Sequence, residues 1–289
     1  MVRLTLCLLP GLLSLWPTPA AIDERPPRQP ASAVKAESQR DLEQRLNVRI
    51  ETAEAAIRVP LPTGAITAAP IGSKPWSDRT TSATATVATY RDRLVREFSV
   101  YPAAFVRRVQ LKRIVICEQL AFAGQQRAAV PDFAHNVLYL DWQSGFADTN
   151  YQRAVMHHEF FHLVDYRDDG RVYQDDAWQQ LNLAGFAYGP GGAQVQEDRR
   201  QSRFRQPTNG FLTHYATSGV EEDKAELFAH LLVNPEHVSR CAAEDAVLDR
   251  KVVRLKALLR SFCGELDGDF WQQVTATAQQ RRDFRRPAR

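Results

Sequence analysis

His158 and His162, with Glu159 directly after the first of them, are the residues whose types and spacing best suit chemistry. Side chains four residues apart on a helix share one face, so both imidazoles can reach a single ion. Glu159 turns its carboxylate toward the rim of that site, where it can work on a metal-activated water rather than bind the metal. Zinc suits this donor set, one ion per chain. The chain has only seven histidines, so two at this spacing around a glutamate are informative.

Two imidazoles alone hold zinc poorly, because a catalytic site normally takes three protein ligands and keeps one position open. The stretch from Tyr215 to Ala229 begins as a loop and becomes a helix within an acidic run. Glu222 and Glu226 share a face there, one available to the metal and the other to a ligand imidazole behind it. Glu221 or Asp223 takes the ligand position if the helix phase is off by one. Asp165, three residues after His162, is a further alternative. His157 points about 100° around the helix from His158, which suits a structural histidine. His214 is either a second transition-state donor or an exposed loop histidine.

Helices and strands must position these groups. Residues 136–141 read as a strand, Asp148, Thr149 and Asn150 offer N-caps, and a helix over 151–166 carries the two histidines until Asp168, Asp169 and Gly170 stop it. Phe160 and Phe161 are core residues. Upstream, apolar residues at helical spacing predict a helix over 86–99, and 109–117 reads as a strand. The expected fold is α+β, with a small mixed sheet packed on the zinc-binding helix and a helical C-terminal part. Downstream, 247–259 is an amphipathic closing helix with Arg250, Lys251, Arg254, Lys256 and Arg260 on its wet face. The glycine-rich stretch from Tyr188 reads as a connecting loop that could border a cleft.

The pattern of His158, Glu159 and His162 followed by Glu222, Ala225 and Glu226 resembles the glutamate-ligated zinc metallopeptidases, the gluzincins. Among them it looks most like the catalytic domain of anthrax lethal factor and the bacterial exported proteins known as zinc-binding metallopeptidases. Tyr215 stands seven residues before Glu222, as the lethal-factor pattern has it. The resemblance covers roughly residues 90–232. It implies that His158, His162 and Glu222 bind zinc and that Glu159 is the general base. It further implies that Tyr215 donates to the tetrahedral oxyanion, while Asp165 and Glu226 fix the imidazole tautomers. The strand at 136–141 would be the edge to which a substrate peptide adds.

The chain has 289 residues, 44% of them hydrophobic, enough for a sizeable core. Lysine and arginine exceed the acids by 37 − 34 = 3, which gives no electrostatic case for a nucleic-acid partner. The apolar run from Leu4 to Trp16, followed by Thr18, Pro19 and Ala20, reads as a signal peptide over 1–21. A proline-rich and irregular region over 22–82 follows, then a metallopeptidase domain over 83–275 and a basic tail over 276–289. The mature protein is expected to be exported, periplasmic or secreted, without a membrane span, and monomeric, acting on protein or peptide. Cys117, Cys241 and Cys263 are either one disulfide that uses Cys117 plus a spare thiol, or three reduced thiols. Two rival readings are a catalytically silent zinc-binding module and a hydrolase of another amide such as a cell-wall cross-link.

Overall fold

The computed structural model describes residues 37–73, 86–145, 148–189, 191 and 209–283. The expected signal peptide and the last residues of the basic tail lie outside these. In chain order the elements are α1 (Gln39–Leu46), β1 (Arg49–Thr52), β2 (Ile57–Leu61), β3 (Gly64–Ala69), α2 (Val87–Phe98) and α3 (Ala103–Val109). Next come β4 (Arg113–Phe122), β5 (Gln125–Gln126), β6 (Ala129–Asp132), β7 (Val137–Asp141), α4 (Thr149–Asp169) and the short α5 (Asp176–Gln179). A single 3-10 turn (Tyr215–Ser218) leads into α6 (Val220–Val233), α7 (Pro235–Glu244), α8 (Ala246–Phe262) and α9 (Gly268–Asp283). The α+β reading therefore holds.

The seven-stranded mixed sheet runs β2-β3-β4-β7-β6, with β1 and β5 also paired to β4. β4 carries the assembly. Its first half lies between β1 and β7, parallel to both, and its second half turns away to pair antiparallel with β3 and β5. Residues 57–69, placed within the irregular N-terminal region, form the antiparallel β2–β3 hairpin. Val109, expected to open a strand, ends α3 instead.

The strand at 136–141 is not the sheet edge. β7 lies between β4 and β6, and all five of its residues are buried. Leu138 and Leu140 join the larger core cluster, and Val137 and Tyr139 join the smaller one on the other face of the sheet. A run apolar on both faces marks an interior strand. The outer strand on that side is β6.

α4 is longer than expected by two residues at the start and three at the end. Asp148 caps it by accepting from the N–H groups of Asn150 and Tyr151, and Gly170 ends it at φ +77°. The helix is buried over much of its circumference, so it is a central element and not a surface one. Phe160 is fully buried among Phe98, Tyr101 and Phe105, with ring centroids 4.9 to 5.8 Å away. α9 runs past residue 275, where the tail was expected to begin, and buries Val274 and Ala278. Cys117, Cys241 and Cys263 are all free thiols.

Phe160→Ala should lower unfolding free energy by about 3–5 kcal/mol in equilibrium denaturation, because a buried aromatic leaves a cavity that its neighbours only partly fill.

Candidate metal centre

α4 and α6 meet beside the sheet, and the chemistry-bearing side chains collect where they touch. His158 and His162 come from the middle of α4, and Glu222 from the first turn of α6. One donor atom from each lies within 4.8 Å of the others, and all three residues are buried. Two imidazole nitrogens and a carboxylate oxygen at this spacing fit a zinc ion, whose catalytic sites take three such ligands. Glu222 Oε2 lies 2.9 Å from His158 Nε2 and 3.8 Å from His162 Nε2.

Glu226 stands one turn after Glu222 and places Oε1 3.0 Å from His158 Nδ1, while its Oε2 accepts from the Thr213 hydroxyl at 2.8 Å. The far nitrogen of His158 is thus held by a carboxylate that is itself held. Asp165 does something else: Oδ1 accepts from Lys224 Nζ at 2.7 Å, and the Nδ1 of His162 has no hydrogen-bond partner among the described residues. The structure gives Asp165 an ion-pair role in place of the expected tautomer control.

The phase of α6 separates Glu222 from its neighbours. Asp223 Oδ2 accepts from Trp178 Nε1 at 2.8 Å and from the Tyr188 hydroxyl at 2.6 Å, and it pairs with Lys251 Nζ at 2.7 Å. Such a carboxylate is committed. Glu221 folds back over the helix start. A Cβ on Gly219 would fall 2.3 Å from Glu221 Oε1, so a larger residue before α6 requires the Glu221 side chain to move. Lys251, expected on the wet face of the closing helix, is fully buried; Nζ also donates to Gly210 O at 2.8 Å and lies 3.5 Å from the Phe211 ring centroid. The glycine stretch is more than a connector, since Gly189 N–H and Gly191 N–H donate to the carbonyls of Thr217 and Ser218.

Tyr215 is buried, with its ring centroid 6.0 Å from that of His158, and its hydroxyl hydrogen-bonds the Glu222 carboxylate. Glu159 is half-buried beside these groups. It lines a cleft of about 360 Å3 together with His162, Tyr215 and Glu222. The far walls are Leu61, Phe122, Val130, Phe133 and Tyr173. Leu61 belongs to the β2–β3 hairpin, so the N-terminal region supplies part of the cleft, a role its loose apolar pattern did not reveal.

His157 is apart from the site. Nδ1 lies 2.6 Å from the Tyr101 hydroxyl and Nε2 3.1 Å from Glu97 Oε2, a carboxylate that also accepts from Arg153. This is a structural histidine. His214 is half-buried, and its Nδ1 has no hydrogen-bond partner among the described residues.

Burial sets the protonation of the donors. For His158, burial disfavours the charged ring, but hydrogen bonds to Glu222 and Glu226 outweigh it and push the pKa up to about 10. For His162, burial dominates, and the pKa is lowered to about 4 although Glu222 opposes. Burial also acts to raise the Glu222 carboxyl, but the hydrogen bond and charge of His158 hold it below its ordinary value. At neutral pH the metal-free His158 ring is therefore charged, with one N–H toward each carboxylate, and a metal bound at Nε2 would displace the proton there.

Residues 127–265 match the family model described as "Putative zinc-binding metallo-peptidase". The matched segment runs from just before β6 to just beyond α8 and so holds both ligand helices. A solved structure of a protein with the same description, from Bacteroides caccae, is 19% identical, with a TM-score of 0.49 over 82% of this chain and 87% of that one. No curated protein matches. The family match supports the zinc-metallopeptidase resemblance; nothing in these matches bears on lethal factor.

Purified protein dialysed against a weak chelator should keep one zinc, and Glu222→Ala should lose it, read by metal analysis. Zinc added to metal-free protein at pH 7 should release about one proton, that of His158, in calorimetry across buffers of different ionisation enthalpy.

Proposed function

We propose, on the premise that residues 127–265 carry a zinc metallopeptidase segment, that this protein is an exported peptidase that hydrolyses peptide bonds at the α4–α6 contact. The observation that carries the reading is the convergence of His158, His162 and Glu222, the last two of which line one cleft with Glu159 and Tyr215. Export rests on the apolar N-terminal run and on nothing else.

A zinc ion held by these three residues would supply Lewis acidity to the scissile carbonyl and to the attacking water. Glu159 takes the proton from that water on its carboxylate and returns it to the leaving nitrogen. Tyr215, whose hydroxyl donates to Glu222, is the neutral donor beside the site that can turn to the oxyanion as charge develops there. Glu226 keeps His158 oriented through Nδ1.

The substrate edge under this reading is β6. Asp141 N–H donates to Ala128 O, so in the antiparallel register that follows, Val130 and Asp132 make the ladder bonds to β7. The backbone groups of Ala129 and Pro131 then face away from β7, toward the side where an extended peptide can add. Proline lacks an N–H and is tolerated at this outward position. A peptide there meets both groups of Ala129 but only the carbonyl of Pro131. Val130 and Pro131 also line the cleft, which links the added strand to the catalytic groups. The apolar far wall fits a bulky apolar side chain of that peptide.

Glu159→Gln should keep its zinc and lose about 10²–10⁴-fold in hydrolysis of an unfolded protein substrate. Tyr215→Phe should lose about 10²-fold in kcat. A parent that cleaves neither unfolded protein nor wall fragments, and a Glu159→Gln variant indistinguishable from it, would leave the silent zinc module as the better reading.

A further inference from the structure

Four consecutive charged residues at the start of α6, Glu221 to Lys224, are buried. Charged side chains are almost never fully buried unless paired, so each position calls for a reason. Glu222 has one in the donor set. Lys224 is 2% exposed and reaches across to α4, where Nζ lies 2.7 Å from Asp165 Oδ1 and, on the far side, 3.5 Å from Asp175 Oδ2.

The placement of the pair is the informative part. Lys224 is two residues after Glu222, and Asp165 three after His162, so each partner sits within about 5 Å, measured along its own helix axis, of a metal ligand. Two helices held together by apolar side chains alone can slide by fractions of an ångström at little cost. A 2.7 Å charge-assisted hydrogen bond fixes direction as well as distance. An apolar pair of the same volume would stabilise the fold at least as well, because taking two charges out of water costs several kcal/mol per ion. Asp165 Oδ2 is also buried with no hydrogen-bond partner among the described residues, which makes the arrangement dearer still for stability.

We propose that Lys224 is a positioning residue for the metal centre: its ion pair with Asp165 is a strut between the two ligand helices that sets the separation of His162 and Glu222 before a metal arrives. The inference rests on the zinc reading above and deepens it. Lys224 does not touch the metal. It acts by holding α6 in register with α4, with the bonds of Asp223 to Trp178, Tyr188 and Lys251 holding the same turn from its other side.

The test uses the full chain with Lys224→Met and with the double variant Lys224→Met, Asp165→Leu, which removes both charges of the 2.7 Å pair; Asp175, the second partner of Lys224, keeps the Trp178 N–H and some exposure to water. Three quantities are read: zinc affinity by competition with a chromophoric chelator, the visible spectrum of the cobalt(II) form, and thermal unfolding of the metal-free protein. The double variant is expected to unfold near the parent temperature when metal-free, to bind zinc about ten-fold or more weakly, and to show an altered cobalt spectrum. Parent-like zinc affinity and cobalt spectrum in the double variant would overturn the proposal. Failure of both variants to fold would overturn it as well, because the pair would then be a stability element. A parent that binds no zinc would bring down the zinc reading itself, an outcome the parent protein alone reveals.

Discussion

Carrying Glu222, Asp223 and Lys224 into the interior within one turn of α6 is possible only because each charge meets partners on other elements: the histidines of α4 for the first, Trp178, Tyr188 and Lys251 for the second, Asp165 and Asp175 for the third. Burial without those partners would cost several kcal/mol per ion. The rest of the architecture answers to this demand. β6 and β7 lie against α4, while α5 and α8 supply donors that reach α6 from outside, and Gly189 and Gly191 close on the turn before it.

The donor set is electrostatically poised. The metal-free His158 keeps its second proton at neutral pH because Glu222 and Glu226 both hydrogen-bond it, whereas His162 stays neutral because burial outweighs the pull of Glu222, which does not hydrogen-bond it. A dication held there would displace the proton on His158 Nε2 and with it the hydrogen bond to Glu222, while the Glu226 contact to Nδ1 would stay in place. Glu226 is what makes this work, since it holds His158 by the nitrogen that the metal does not need.

Much of the site was legible along the chain because its information is local. Four-residue spacing on one helix places His158 and His162 together whatever the fold, and the Asp148 cap and Gly170 stop bound that helix by rules that need no tertiary contact. Other readings failed where the answer depended on what packs opposite. The amphipathic pattern put Lys251 in water, yet it lies buried against Asp223, because periodicity cannot say that a distant carboxylate waits on the inner side. The strand at 136–141 was apolar on both faces, a sign of an interior strand that the sequence carried and the edge assignment overlooked. The β2–β3 hairpin had too weak an alternation to be seen, and its stability comes from pairing with β4.

By itself the sequence determined the helix that carries His158 and His162 on one face, Glu159 beside them, the α+β class and the two glutamates that share a face on a second helix, since all of these follow from periodicity and side-chain chemistry within a few residues. Tertiary structure alone decided that Glu222 faces the histidines while Asp223 and Lys224 are bolted elsewhere, that Asp165 serves an ion pair, and that β6 is the outer strand beside the cleft. The physical reason is that helix phase, ion-pair choice and strand order are settled by contacts between segments far apart in the chain, and a one-residue change in phase alters every local pattern too little to be read.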